Sequence, residues 1–134
     1  MARPDLWARR LRTLRAATAL CLARLTVACV PFDRWRNSLG AATGAKSEGE
    51  ARRLAADVEW AAKRLPFETK CLPRAMALSW MLRRRHIAHA MVFAVRPAEM
   101  RHAADALHAW VEVDGATVLG NLPGPWIETL RVGG

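Results

Sequence analysis

The chain has 134 residues and carries 21 Lys and Arg against 12 Asp and Glu, a formal charge of +9. Apolar residues make up 52%, which excludes a disordered or collagen-like chain, and the length suits a single domain, 1–134, with one core. The positive excess favours acidic partners, whether peptide, nucleic acid or membrane surface, without choosing among them.

Cysteine use bounds the compartment. The three cysteines, Cys21, Cys29 and Cys71, are odd in number and irregular in spacing. They form no disulfide framework and point to free thiols in a reducing, cytoplasmic setting. The most apolar N-terminal run, Ala16–Ala23, lies between Arg15 and Arg24. It falls well short of the roughly 20 residues needed to span a bilayer, and it lacks a clean cleavage site, so it reads as a buried core helix rather than a secretion signal.

Pro4 to Cys29 reads as one long helix. Leu11, Leu14, Thr18, Leu22, Leu25 and Cys29 recur at spacings of three and four and form its apolar stripe, with Cys21 and Cys29 as small buried hydrophobes. Pro31 ends that helix, and Phe32, Trp35 and Leu39 suggest a further short turn closed by Gly40. Gly40–Lys46 reads as a flexible connection. Ser47 and Glu50 match a capping box, opening a helix with Leu54, Val58, Ala61 and Leu65 on one face and ending before Pro66. These helices make up a helical part, residues 1–66; residues 67–134 hold the rest.

Cys71 begins the next helix, with Pro73 tolerated in its first turn. Leu72, Met76, Ser79 and Leu82 mark the buried side, and Arg83–Arg85 suit the negative pole at its end. Ile87–Val95 reads as a strand, Arg96–Asp105 as an exposed connection, and Leu107–Val113 as a second strand. Asp114-Gly115 is a hairpin signal, returning through a third strand, Ala116–Leu119. Gly120–Pro125 is rich in turn residues, and Trp126, Ile127 and Leu130 tuck the tail onto the core. The fold class is α+β, with N-terminal helices and the cysteine-bearing helix packed on a small antiparallel sheet of about three strands.

Cys71 differs from the other thiols by its position. At a helix N-terminus, unpaired N–H groups and the macrodipole favour the thiolate and can bind an oxyanion. Cysteine catalysis also needs a base, and His108, opening the second strand, is the candidate. Asp114 and Asn121 are the downstream groups that could orient its ring; Asn121 returns beside His108 if the hairpin is tight. Trp110, two residues on, shares the histidine's side of the strand and either walls the site or belongs to the core. His86 and His89 are three apart at a strand entry and face opposite sides, and His102 sits in a polar loop, so no metal site is expected. No Gly-rich phosphate loop is present, so neither ATP nor another cofactor is expected.

Cys71-Leu72-Pro73-Arg74-Ala75, the aliphatic run Ala90–Val95 and His108-Ala109-Trp110-Val111-Glu112-Val113-Asp114-Gly115 resemble the transglutaminase-like leader peptidase of lasso peptide biosynthesis. Pro31-Phe32-Asp33-Arg34-Trp35-Arg36 adds to the resemblance. It implies a transglutaminase- or papain-like cysteine protease that removes the leader from a ribosomally made precursor peptide. It further implies Cys71 as nucleophile, His108 as base, and a leader-recognition protein in trans with a separate ATP-dependent macrolactam cyclase as partners. Where the family commonly has Asp after the return strand, this chain reads Leu119-Gly120-Asn121, and Asn121 is assigned as the orienting residue. Arg74 and Trp110 are taken as substrate-binding residues. The competing reading is a non-catalytic basic adaptor that grips leader peptide or partner enzymes. A nucleic-acid binder is not favoured, for want of stacking runs or a binding motif.

Overall fold

The computed structural model describes residues 2–100 and 107–133. Four helices come first: α1 (Ala2–Cys29), the short α2 (Phe32–Trp35) continued by a 3₁₀ turn (Arg36–Ser38), α3 (Glu48–Arg64) and α4 (Cys71–Arg84). The sheet follows: β1 (Ala90–Val95), β2 (Leu107–Val113), β3 (Ala116–Leu119) and β4 (Ile127–Gly133). The expected connection over Arg96–Asp105, with His102, lies in part outside the described residues. What is described of it includes a 3₁₀ turn at Ala98–Met100.

The sheet has four strands, not three, in the order β3-β2-β1-β4 and antiparallel throughout. Of the expected tail contacts, those of Ile127 and Leu130 give way to a strand, in which Ile127 pairs with Val95 and Leu130 with Phe93; Trp126 stands just before that strand and is half-buried. Without β4, β1 would present an open row of N–H and C=O groups. As the central strand, β1 buries residues on both faces: Met91 toward the helices, and Ala90, Val92 and Ala94 on the other side. The Arg131–Glu112 ion pair (3.1 Å) joins the two strands that flank β1.

α4 is the hub. Pro73, Ala75, Met76, Ala77, Leu78, Ser79 and Leu82 are all buried, and the helix touches α1, α3 and the sheet. Near its C-terminal end, a buried network fixes the entry to β1. The Ser79 hydroxyl donates to His89 Nε2 (2.7 Å) and accepts from the Gly40 N–H (2.9 Å), and His89 Nδ1–H donates to the Ile87 carbonyl (2.9 Å). His86 adopts φ +55° at the end of the helix, in a turn and not in the expected strand entry.

Three local expectations are corrected. Gly40–Lys46 is no free connection, because Ala41 bridges His89 and Ala45 bridges Ile87 through paired backbone hydrogen bonds. Ser47 precedes α3 but makes no side-chain cap bond; Glu50 is instead held by Arg85 at 2.9 Å. The third concerns α1. Its buried residues are Ala16, Leu20 and Ala23, while Leu11, Leu14, Leu22 and Leu25 are exposed. Cys29 is exposed as well, and Cys21 is half-buried. The alanines allow α1 a close approach to the body, and the larger leucines are left outside. No described helix is long and apolar enough to cross a membrane.

Candidate active site

Cys71 is the first residue of α4, and Lys70 before it makes no side-chain cap bond. The backbone donors of the first turn are thus available to the sulfur. Burial pushes the Cys71 thiol up, but a hydrogen bond with the His108 imidazole, the Ala109 N–H, the charge on His108 and the Leu72 N–H outweigh it. The net effect holds the thiol below its ordinary value. A thiolate supported by donors and a neighbouring imidazole is the form that attacks carbonyl carbon.

His108 is gripped on its other side. Its Nε2–H donates to the Gly120 carbonyl at 2.6 Å, which leaves Nδ1 as the ring nitrogen for Cys71. Gly120 has φ +85°, and a Cβ there would lie 3.0 Å from both the Ala109 carbonyl oxygen and the Trp110 Cβ. Only a residue without a side chain sets that carbonyl against the ring comfortably. The Trp126 ring stacks on His108 with centroids 5.2 Å apart and planes 25° from parallel. The Arg96 guanidinium lies 3.9 Å from the Trp126 ring centre and donates to the Pro123 (2.9 Å) and Pro125 (3.3 Å) carbonyls. The segment after β3 is therefore fastened over the histidine by a cation–π contact and two hydrogen bonds.

Asn121, the expected orienting residue, lines the same cleft as Cys71 and His108, next to the carbonyl that bonds the ring. Asp114 sits in the hairpin turn with φ +51°, at the far end of β2 from His108. Arg74 lines the cleft too; its Nε donates to Thr69 Oγ1 and its Nη1 to Glu59, both at 3.1 Å, tying α4 to α3. Trp110 is half-buried on the side of β2 away from the helical core, its ring 5.9 Å from His108 and its Nε1–H bonded to Glu112 (2.7 Å).

The cleft has a volume of about 240 Å³. It shares Glu59, Leu119, Gly120 and Asn121 with a larger hollow of about 520 Å³ between α3 and β3, lined also by Arg52, Ala55 and Thr117. On the other side it shares Gly120, Asn121 and Leu122 with a hollow bordered by Trp110 and Trp126. Among the described residues, no group of three or more His, Cys, Asp or Glu is placed to hold a metal.

Sequence reasoning missed Gly120, Trp126, Arg96 and Glu59. A glycine just past a return strand was a signal for Gly120. Arg96 and Trp126 act across a connection whose path no periodicity reports.

A thiol at a helix head beside an imidazole on an adjoining strand fits a cysteine-nucleophile site, a constellation that several folds share. The model of one family, described as transglutaminase-like superfamily, matches residues 6–128. The chain belongs to the transglutaminase-like superfamily. No curated protein and no solved structure gives a significant match to it. The superfamily includes cysteine proteases, and its match runs from α1 into β4, so the helical part and the sheet belong to one family unit.

Proposed function

We propose that the protein is a cysteine peptidase that removes the leader from a ribosomally synthesised lasso precursor peptide, with the whole chain serving as one catalytic domain. The observation that carries this reading is the hydrogen bond between Cys71 and His108 at the head of α4, with the far ring nitrogen held by the Gly120 carbonyl. The resemblance of the Cys71 and His108 motifs to the leader peptidases supplies the substrate class.

Cys71 loses its proton to His108 Nδ1, and the thiolate adds to the scissile carbonyl. The first-turn N–H groups of α4 stabilise the oxyanion. His108 gives its proton to the leaving amine, the C–N bond breaks, and a thioester joins the leader to Cys71. Water then attacks the thioester as His108 takes its proton. The C–S bond breaks, releasing the leader as a carboxylic acid and returning the proton to the resting Cys71–His108 pair. Asn121 forms part of the wall of this site, beside the Gly120 carbonyl that takes the orienting bond to His108, and Arg74 and Trp110 flank the path of the peptide. A leader-recognition protein in trans delivers the precursor, and a macrolactam cyclase consumes the freed N-terminus, all in the cytoplasm.

The test is cleavage of a precursor peptide by the wild type and by Cys71→Ala. Cleavage by the wild type, lost in a variant with unchanged circular dichroism, is expected; a variant that still cleaves refutes the proposal.

A further inference from the structure

One surface of the molecule is apolar without serving the core. Trp7, Leu11, Leu14, Thr18, Leu22, Leu25 and Cys29 follow one another along α1 at spacings of 4, 3, 4, 4, 3 and 4. At 3.6 residues per turn they fall within an arc of about 80°. Ala16, Leu20 and Ala23, which pack on the body, lie on the opposite side. The stripe is open to solvent: Trp7 is 64% exposed, Leu14 63% and Leu25 60%. Thr18 does not interrupt it with an unmet polar group, since its hydroxyl donates to the Leu14 carbonyl at 2.8 Å. From Leu6 to Arg12 every side chain is exposed.

The pattern identifies the kind of partner. A repeat of 11 residues, Trp7 to Thr18 to Cys29, keeps one seam on one side of a nearly straight helix. A seam this narrow suits a partner helix; a helix lying in a membrane presents a broader apolar face. Charge narrows the choice further. α1 contains six arginines and one acid, Asp5. Arg10 and Arg15 flank the seam on opposite sides, about 60–80° from its centre. Arg12 and Arg24 lie further round, near Asp57 (3.8 Å) and over the Phe67 ring (4.2 Å). A second copy running antiparallel about Thr18 would match leucine to leucine. It would offer no acid to the flanking Arg10 and Arg15, on molecules that each carry +9.

We infer that the outer seam of α1 is a docking surface for an amphipathic helix of a protein partner, with aliphatic side chains in its seam and carboxylates beside them. The surface lies on the face of α1 that does not pack on the body, and the inference stands whether or not Cys71 cleaves peptides.

The probe is a synthetic 28-residue helical peptide with leucines at the same spacing and glutamates at the flanking positions. A control peptide carries lysines there. Fluorescence anisotropy of the labelled peptides against the full chain should show the glutamate peptide binding about tenfold tighter or more at low salt. Arg10→Glu with Arg15→Glu should reverse that preference. Leu14→Glu with Leu22→Glu should abolish binding of both, and all four positions are exposed enough to leave the fold intact, as circular dichroism would verify. Equal affinity for the two peptides, or no binding, overturns the inference. So does a homodimer in sedimentation that Leu14→Glu with Leu22→Glu dissolves, or tighter binding to phosphatidylglycerol vesicles than to the glutamate peptide.

Discussion

The candidate active site is assembled from single contacts, and each has its own consequence. The Cys71 thiol is held below its ordinary value near 9.0. Its alkylation by iodoacetamide in the folded protein should therefore reach half its maximal rate at a lower pH than in the urea-unfolded chain, where the contacts with His108 and Ala109 are gone. Coincident profiles for the two states would mean that the contacts do not act on the sulfur. Gly120 gives a second test. Gly120→Ala forces a Cβ against the Ala109 carbonyl at a positive φ, so the carbonyl that holds His108 must move. We expect kcat to fall by roughly 10- to 100-fold with KM little changed; unaltered turnover would show that the ring needs no such anchor. The pairing of Cys71 with His108 was legible in the sequence, since a thiol at a helix start and a histidine at a strand start are both local patterns. The Gly120 carbonyl was not, because a backbone acceptor leaves no side-chain signature. The eye goes to Asn121, one residue on, which carries the polar side chain.

Among the elements, α1 shows how a pattern can be read correctly and placed on the wrong side. The leucine stripe is real, but the core takes the alanine side, because small side chains let the helix come closer to α3 and α4. Leu20→Ala should thus cost about 2–5 kcal/mol of stability, whereas Leu14→Ala should change it by no more than about 0.5 kcal/mol. Urea denaturation of the two variants decides; equal losses would return the leucine stripe to the core. α3 and α4 came out of the sequence nearly to the residue, because each ends on a local signal, Pro66 for α3 and the Arg83–Arg85 run for α4, and carries a wide apolar face. β4 was missed because its residues are mostly exposed and show little alternation, so that its pairing with β1 is a tertiary fact. The network at the start of β1 adds a pH dependence. Burial lowers the pKa of His89, and its contact with Ile87 only partly offsets this. The unfolded chain therefore takes up a proton near the ordinary value of 6.5 that folded His89 resists. Stability contributed by the neutral ring is present above that value and is lost as the pH falls below it. The denaturation midpoint should drop between about pH 7.5 and 5, and His89→Gln should flatten that part of the drop. A variant with the same slope as the wild type would assign the pH dependence to other groups.

For the whole molecule, the charge of +9 matters for encounter more than for fold. An acidic precursor peptide would be steered toward the protein, and screening would weaken that attraction. Raising the salt from about 0.05 to 0.5 M should increase KM for such a peptide several-fold with little effect on kcat. A KM indifferent to salt would remove charge from the account of substrate capture. The three hollows meet at Gly120 and Asn121, a convergence that could not be read from the chain. The α+β class could be read, because helix-period and strand-period segments are segregated along the sequence.

The stacking of Trp126 on His108 has a use beyond holding the ring. An indole lying flat against an imidazole loses emission when that imidazole becomes cationic, so the chain contains its own optical gauge of the proton on His108. The difference in fluorescence between the wild type and Trp126→Phe, followed through a pH titration or a single turnover, would report the charge on the ring without a label or a substrate analogue.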